Sequence, residues 1–306
     1  MSVERPTPPL DPEELGVSTQ PTGAQLAPQT SVGPVCLTAS DLTRSVDFYV
    51  QVMGLQVLDR GESHAALGTA ERELVALVEQ PGARPSPRSA GLYHFALLVP
   101  DRADLARWLA HAARDRVPLT GVSDHFVSEA LYLSDPDGHG IEIYWDRPRA
   151  SWEGQVASRM TTLPLDVDDL FAVLDDPRSA AFDGLPAGTR MGHIHLKVAA
   201  IAEAITFYRD VLGFGLMAQL GSSAAFLAAG GYHHHVGANT WESAGAPPPP
   251  PGSAALRHAT IVVPDPAERG RVLERVRDAG GATEESTSGP IIRDPSGNAL
   301  VLSVAA

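Results

Sequence analysis

The sequence predicts an α+β fold of four βαβββ modules, paired into two curved mixed-sheet half-barrel pairs. First, an alternating apolar strand that runs into a helical stretch begins four times along the 306 residues. Second, two of the helices end in matching phrases, Phe48-Tyr49 to Met53-Gly54-Leu55 and Phe207-Tyr208 to Leu212-Gly213-Phe214. Third, two modules close on matching turns, Asp135-Pro-Asp-Gly138 and Asp294-Pro-Ser-Gly297. A single small sheet with one helix buries too little apolar surface, so the modules are expected to pair around a shared cavity.

Residues 1–30 precede the first module. They have no basic segment followed by an apolar one, which argues against a secretory signal, and their Pro, Thr and Gln content is typical of a mobile arm. No stretch of the sequence approaches the ~18–20 apolar residues that a membrane span needs. We therefore expect a mobile N-terminal arm and no membrane segment.

The four modules follow in order. Their first strands begin at Pro34-Val-Cys-Leu37, His94-Phe-Ala-Leu97, His193-Ile-His-Leu196 and His258-Ala-Thr-Ile261. Their helices are predicted at Asp41–Tyr49, Asp101–His111, Ile201–Leu212 and Asp265–Ala279. The glycines Gly54 and Gly213 fit left-handed positions at the ends of two of these helices.

Two segments are predicted to be connectors. Residues 148–190 are rich in proline and glycine, with a short helix expected at Val167–Leu174. The proline run at 246–252 is predicted to be a stiff spacer between two strands. The expected organisation is an arm (1–30), a first domain of modules 1 and 2 (31–147), a connector (148–190) and a second domain of modules 3 and 4 (191–306).

Composition narrows the possible partners. Lys and Arg number 23 against 37 Asp and Glu, a net charge of −14 that argues against nucleic acid or an anionic membrane surface and favours a small molecule. The one cysteine, Cys36, permits no internal disulfide and excludes a cysteine-rich zinc site, so we expect a reducing cytoplasm. The 11 histidines remain for metal or proton chemistry.

Several phrases of the sequence carry a family resemblance. They are Gly91-Leu-Tyr-His-Phe-Ala-Leu97, Ser128-Glu-Ala-Leu-Tyr-Leu-Ser-Asp-Pro-Asp-Gly138, Ile141-Glu-Ile-Tyr144, Met191-Gly-His-Ile-His-Leu196 and Gly230-Gly-Tyr-His-His-His235. Over residues 31–305 the chain resembles the vicinal oxygen chelate superfamily of glyoxalase I, bleomycin-resistance proteins and extradiol dioxygenases. Within it, these phrases are most similar to the tandem-module catechol 2,3-dioxygenases of bacteria.

The resemblance implies where metal ligands stand: on the first strand of a module, and on its fourth strand after the closing turn. The first-strand positions hold Pro34, His94, His193 and His258. The fourth-strand positions hold Val75 or Ala76, then Glu142, then one of His233 to His235, then Val301.

An extradiol dioxygenase needs two histidines and one carboxylate around Fe(II), with Mn(II) as the alternative ion. Modules 1 and 2 together lack one histidine, and modules 3 and 4 together lack the carboxylate. Modules 2 and 3 supply the whole set, His94, Glu142 and His193, and the outer pair keeps only His258. We therefore predict a metal site between the inner modules, where a cation would also offset the cost of burying Glu142.

The implied reaction also needs groups that move protons, a role that histidine fills near neutral pH. If residues 231–236 form a strand, alternation puts His233 and His235 on one face and His234 on the other. We expect His235, then His233, as acid or base, with His125 as a further candidate. Tyr144 either donates to a substrate oxygen or packs, and a hydrogen-bonded polar network is the structural alternative for the histidines.

The resulting prediction is a cytoplasmic extradiol dioxygenase that uses Fe(II) and O2 to open catechol or a substituted catechol, with a homo-oligomer as a possible assembly. Two alternatives stay open. One is a glyoxalase-like isomerase or metal-dependent transferase, whose sites take carboxylates from both modules. The other is a non-enzymatic binding protein of the bleomycin-resistance type, for which the acidic charge of the chain would suit a basic drug.

Overall fold

The computed structural model describes residues 15–16, 23–177 and 180–305. Most of the predicted arm therefore lies outside the described residues. Its described parts contact the third module, because β1 (Leu15–Gly16) pairs with Leu220 and Gln219 and the Leu26 amide donates to the Gly213 carbonyl at 2.9 Å. None of the helices in these ranges is long and apolar enough to cross a membrane.

Each module has one helix and a set of strands. Module 1 contains β2 (Ser31–Ala39), α1 (Leu42–Gln51), β3 (Gln56–Arg60), β4 (His64–Thr69) and β5 (Arg72–Glu79). Module 2 contains β7 (Gly91–Leu98), α2 (Arg102–Asp115), β8 (Gly121–Asp124), β9 (Ser128–Ser134) and β10 (Gly140–Asp146). Module 3 contains β12 (Arg190–Lys197), α5 (Ile201–Ile205, continuing as a π-helix over Thr206–Leu212), β13 (Gly215–Leu220), β14 (Ala224–Ala228) and β15 (Val236–Asn239). Module 4 contains β17 (Leu256–Val263), α6 (Pro266–Asp278), β18 (Ile291–Arg293) and β19 (Ala299–Val304).

Short elements connect the modules. They are β6 (Arg84–Pro85), a 3₁₀ turn (Arg149–Ser151), α3 (Val156–Arg159), β11 (Leu163–Pro164), α4 (Val167–Phe171) and β16 (Ser253–Ala254). In module 4, the strand expected after the helix is reduced to a single bridge between Glu284 and Ile291. The helix predicted inside the 148–190 connector is α4.

The helices begin where the sequence predicts, but α1 and α2 extend past their predicted ends, to Gln51 and Asp115. Asp41 and Asp265 cap α1 and α6 through their side chains, and Asp101 with Asp104 forms a capping box on α2. Gly213 ends the third helix with φ of 98°, a left-handed conformation that glycine adopts without steric cost.

Two large sheets pair the modules across the sequence halves. The ten-stranded sheet has the order β1-β13-β14-β15-β12-β7-β10-β9-β8-β11, so modules 3 and 2 meet where β12 runs antiparallel to β7. The seven-stranded sheet has the order β18-β19-β17-β2-β5-β4-β3, so modules 4 and 1 meet at β17 and β2. Each sheet therefore takes one module from each half of the sequence.

The two modules within a half are tied together through the Asp-Pro turns. The Tyr49 hydroxyl donates to Asp135 at 3.0 Å, and the Tyr208 hydroxyl donates to Asp294 at the same distance. In both cases the helix of one module reaches the closing turn of the next, and all four side chains are buried. These repeated contacts hold the ends of β10 and β19 in place, and β10 carries one of the site residues.

Candidate metal centre

Three side chains converge where the inner modules meet. His94 on β7, His193 on β12 and Glu142 on β10 lie on neighbouring strands, and each is at least nine-tenths buried. Glu142 Oε2 lies 3.0 Å from the Nε2 atoms of both histidines, and the two Nε2 atoms are 3.3 Å apart. The structure thus brings together the three residues predicted as metal ligands, at the predicted junction of modules 2 and 3.

The geometry of these three atoms fits a divalent cation. Ligand atoms about 2.1 Å from one ion and at right angles to each other lie about 3.0 Å apart, close to the separations observed. Two histidines and one carboxylate on one side of an ion are typical of non-haem iron sites with open positions for ligands. An ion here would also compensate the buried carboxylate.

The protonation states suit metal binding as well. Burial raises the pKa of Glu142, but the electrostatic attraction of the carboxylate to the His193 and His94 imidazoles, together with the hydrogen bonds that they donate, outweighs burial and holds that pKa well below its usual value. Burial lowers the pKa of His193 to about 4, against the opposing effect of Glu142. Near neutral pH the site therefore presents an ionised carboxylate and a neutral His193, the forms that ligate metals.

Ring packing orients His193. Its Nδ1 is buried and has no hydrogen-bond partner among the described residues, although metal-bound histidines usually donate from the second nitrogen. The imidazole lies instead between the rings of Tyr144 and His234, with centroid distances of 4.9 and 4.0 Å.

Tyr144 has a packing position. It does not line the cavity, so it does not contact substrate there, and its hydroxyl forms a hydrogen bond with the Tyr232 hydroxyl at 2.8 Å.

The three residues open into a cavity of about 950 Å³. Its other polar and aromatic lining side chains include His125, Tyr132, His195, His234, Tyr93, Trp241 and Lys197. Of the predicted acid or base residues, His125 lines this cavity, whereas His233 and His235 do not. Tyr132, His195 and His234 are cavity residues that sequence reasoning did not select.

His125 and Tyr132 form a hydrogen-bonded pair beside the metal centre. The Thr161 carbonyl lies 2.7 Å from His125 Nδ1, and because a carbonyl only accepts, this nitrogen carries the proton in the neutral ring. His125 Nε2 then accepts from the Tyr132 hydroxyl at 2.7 Å. Tyr132 lies directly opposite Glu142 in the β9–β10 hairpin, a position that counting outward from the Asp-Pro turn could have identified.

The strand expected at residues 231–236 is wrong. Gly230 and Gly231 have positive φ angles of 61° and 68°, which turn the backbone, and β15 begins only at Val236. Strand alternation therefore does not apply to the three histidines, and His234 is the one that lines the cavity. Burial lowers the pKa of His234 well below its ordinary value, with the nearby His193 acting in the same direction.

The strand register also corrects the fourth-strand position of module 3. In module 2, Glu142 pairs with Ala96, which lies two residues after His94. In module 3, the equivalent residue lies two after His193 and is His195, and its partner on the fourth strand is Gly237. The equivalent of the carboxylate position is therefore a glycine and not one of the clustered histidines. Module 3 contributes its first-strand histidine to the centre and no fourth-strand ligand.

A hydrogen-bonded chain leads from Asp146 to His234. Asp146 Oδ1 accepts from His233 Nε2 at 2.8 Å, and its other oxygen accepts from the Tyr232 hydroxyl at 2.8 Å. His233 Nδ1 lies 2.8 Å from His234 Nδ1, so in the neutral rings His234 donates and His233 accepts. This arrangement leaves Nε2 of His234 without a proton.

The other predicted residues lie apart from the centre. His235 Nδ1 accepts from the Ala229 amide at 3.2 Å, and burial lowers the pKa of His235 to about 3, with His233 and Arg190 in the same direction. His258 faces Cys36 across the junction of the outer sheet. Among the described residues, His94, Glu142 and His193 form the one group of three or more ligand-type side chains close enough to share an ion.

Comparison with known proteins gives matches over most of the chain. A family model described as Glyoxalase/Bleomycin resistance protein/Dioxygenase superfamily matches residues 31–143 and 190–302. Catechol-2,3-dioxygenase of Bacillus subtilis (strain 168) is 42% identical over 278 residues, or 89% of this chain and 96% of that protein. Biphenyl-2,3-diol 1,2-dioxygenase 3 of Rhodococcus globerulus is 30% identical over 115 residues, or 36% of this chain and 60% of that protein.

Solved structures show the same fold at low sequence identity. A crystal structure of a protein from Bacillus subtilis subsp. subtilis str. 168 has a TM-score of 0.62 at 14% identity and covers 92% of this chain and 86% of its own. Glyoxalase I from Zea mays has a TM-score of 0.53 at 16% identity and covers 90% of this chain and 92% of its own. Paired βαβββ modules are thus common to chains that differ in most residues.

Proposed function

Because the chain belongs to the Glyoxalase/Bleomycin resistance protein/Dioxygenase superfamily, we propose that it is an extradiol dioxygenase that uses Fe(II) and O2 to open catechol or a substituted catechol beside the diol. The observation that carries this proposal is the convergence of His94, Glu142 and His193 on one face of a large cavity. The 42% identity to a catechol-2,3-dioxygenase over nearly its whole length supports the same reaction.

The register of module 3 favours this function over a glyoxalase-like one. Glyoxalase-like sites take carboxylates from both modules, whereas here Gly237 stands at the second carboxylate position. A binding protein without metal would have no need to bury three ligand-type groups within about hydrogen-bond distance of each other. Two histidines with one carboxylate also favour Fe(II) over Mn(II), which prefers oxygen ligands.

The metal would be held by Nε2 of His94, Nε2 of His193 and a carboxylate oxygen of Glu142. When bound, it would acidify the diol and provide a path for electrons from the diol to O2. The protein's own part is to orient the diol and to move protons, and the cavity places two groups for these tasks next to the centre.

His234 is the residue best placed to take the proton of a diol hydroxyl. Its Nδ1–H donates to His233, so its Nε2 holds a free lone pair. Asp146 fixes this arrangement because it accepts the Nε2–H of His233. The same Nε2 can return the proton when the O–O bond is cleaved, so one imidazole serves first as base and then as acid.

Tyr132 and His125 are placed to hold the substrate. Burial raises the pKa of Tyr132 well above its ordinary value, and Glu142 raises it further, so the hydroxyl stays neutral. A neutral hydroxyl that donates to His125 keeps its oxygen free to accept a hydrogen bond from the diol.

We also place the enzyme in the cytoplasm, since its one cysteine is buried and unpaired.

The direct test is anaerobic loading of the protein with Fe(II), followed by catechol and air. We expect oxygen uptake and a yellow ring-fission product. His193→Ala should lose tight iron binding and activity, whereas His258→Ala, at the same strand position in the outer sheet, should keep both. Iron-loaded protein that consumes no oxygen with any of several catechols, or His193→Ala that binds iron as tightly as the parent, would contradict the proposal.

A further inference from the structure

A row of cavity-facing residues on β12 continues beyond the metal centre. His193, His195 and Lys197 line the cavity, while the alternating residues Ile194 and Leu196 belong to the apolar core. At ~3.3 Å per residue, the Cα of Lys197 lies roughly 13 Å from that of His193. The row thus extends from the ligand to a basic side chain at the far end of the same cavity.

Lys197 is the single lysine of the sequence. Its side chain is only 10% exposed, and its Nζ donates to the Pro87 carbonyl at 2.8 Å. The nearest carboxylate oxygen, on Glu242, is 3.9 Å away and belongs to a side chain that is 54% exposed. Among the described residues, this ammonium therefore has one hydrogen-bond acceptor for three N–H groups, although it is nearly buried.

His195 lies between the metal centre and Lys197. Its Nε2 is buried and has no hydrogen-bond partner in the described part of the chain. The imidazole occupies the space over Gly237, where a Cβ would come within 2.8 Å of its Cγ. The strand position that carries a carboxylate in module 2 is thus a glycine in module 3, and the His195 ring occupies the space that a side chain there would take.

Aromatic rings lead from solvent to this part of the cavity. Tyr93 is 36% and Trp241 48% exposed, with ring centroids 5.3 Å apart, and both contact His195 at 5.3 and 5.5 Å. The whole cavity, about 950 Å³, has the volume of about thirty water molecules in the liquid. Catechol, a single small ring with two hydroxyls, leaves most of this space unfilled.

We propose that Tyr93, His195, Lys197 and Trp241 form a distal subsite that binds a carboxylate-bearing side chain on the catechol ring. The Lys197 ammonium takes the carboxylate, and the two exposed rings, which pack against the His195 imidazole, cover the linking atoms. The inference rests on the proposed function, because the diol end must be held at the metal centre. It adds the substrate class: catechols whose substituent ends in a carboxylate.

Glu242 supplies a control of opposite sign. Its carboxylate competes with that of the substrate for the ammonium, so its removal should favour the substrate. Lys197→Met should weaken selection for the carboxylate, and Glu242→Gln should strengthen it. If Lys197 only held the Pro87 loop in place, Lys197→Met and Glu242→Gln would not change the preference for a carboxylate substrate in opposite directions.

The kinetic test compares 3-(3,4-dihydroxyphenyl)propionate with its primary amide, which has the same length and no charge. The readout is the ratio of the two kcat/KM values, because a general loss of activity affects both substrates and cancels. We expect a preference for the carboxylate of about tenfold or more, lost in Lys197→Met, retained in Lys197→Arg and increased in Glu242→Gln. Equal ratios in the parent and Lys197→Met would overturn the subsite.

A binding test needs neither metal nor turnover. Protein grown with lysine labelled with ¹³C at Cε gives the NMR signal of one residue, because Lys197 is the only lysine. We expect this signal to shift with 3-phenylpropionate, which has no diol, and not with 3-phenylpropionamide. No shift at millimolar 3-phenylpropionate would overturn the subsite even if Lys197→Met fails to fold.

The two tests separate the two proposals. If no catechol is cleaved but the Lys197 signal responds to the carboxylate, the proposed function fails and the anion site stands. If catechol is cleaved while the Lys197 signal and the selectivity ratio do not respond, the function stands and the distal subsite is wrong.

Discussion

Tyr144 places its hydroxyl in the space where a side chain at Gly192 would begin, since a Cβ built there would overlap the phenol oxygen. Gly192 precedes the proposed ligand His193 at a shift in the β7–β12 register, and the Tyr144 ring packs against His193. The absence of a side chain at position 192 therefore allows Tyr144 to support His193.

We expect Gly192→Ala to lower the affinity for Fe(II) by about tenfold or more, because Tyr144 must move and His193 loses its support. Isothermal titration of the metal-free protein with Fe(II) under argon measures this. Gly270→Ala, on α6 where the new Cβ would meet nothing within 4 Å outside the backbone of its own helix, is the matched control and should bind iron normally. Tyr144→Leu alone should lower the affinity by a similar amount, and adding it to Gly192→Ala should cost little more. Fully additive losses would count against the overlap as the cause.

Asp146→Asn should lower kcat by about a hundredfold or more with little change in iron content. The amide introduced at position 146 can donate to His233 Nε2, so that the proton of His233 moves to Nδ1. His233 Nδ1 then donates to His234 Nδ1, and the proton of His234 moves to Nε2. A protonated Nε2 cannot take a proton from the diol. Steady-state kinetics with metal analysis of each preparation tests this. Asp59→Asn, an exposed residue paired with His64, is the control. A kcat within a few-fold of the parent value would show that the Asp146 chain does not set the state of His234.

His234 and His235 offer a direct comparison of neighbouring histidines. His234 lines the cavity and His235 does not, so His234→Gln should lower kcat by a hundredfold or more, whereas His235→Asn should change it by only a few-fold. Asn at 235 keeps an acceptor for the Ala229 amide. The reverse order of effects would restore the prediction made from strand alternation, in which His235 is the acid or base.

His235 should also make the metal-free protein sensitive to acid. Its pKa is about 3 in the folded chain and 6.5 in an unfolded one, so below pH 6.5 the unfolded state binds the additional proton. Stability is therefore complete above pH 6.5 and falls toward pH 3, by up to about 1.4 kcal/mol per pH unit for this one group.

Urea unfolding of the metal-free protein between pH 7 and pH 4.5 measures that slope. His235→Asn should have a shallower slope than the parent. His64→Asn, which removes an exposed histidine, should leave it unchanged. Identical slopes for His235→Asn and the parent would mean that His235 is not the group whose protonation is linked to unfolding.

Much of the fold could be predicted because the local signals repeat. Capping aspartates, glycines after helices and Asp-Pro turns mark element ends by short-range chemistry, and the repeat fixes their order. The pairing of modules 2 and 3 could be predicted because only these two modules together supply two histidines and one carboxylate at the expected ligand positions. The structure agrees: β12 and β7 are neighbours and bring His193 to His94 and Glu142.

The missed residues depend on register and turns. Tyr132 lies opposite Glu142 only because of where the hairpin closes, and His234 faces the cavity because Gly230 and Gly231 turn the chain before β15 begins. His195 depends on the lack of a side chain at Gly237 on the neighbouring strand. Such long-range steric conditions do not appear in a local pattern of apolar and polar residues.

The distribution of the three proposed ligands over both halves of the chain has a consequence during synthesis. His94 and Glu142 leave the ribosome first, and His193 follows Glu142 by 51 residues, or about 3–10 s at ordinary translation rates. A nascent chain with only the first half folded presents one histidine and one carboxylate, too few donors to retain a ferrous ion firmly. If these three residues hold the ion, tight binding requires that β12 has already docked on β7, so retention of the metal would report that modules 2 and 3 have assembled.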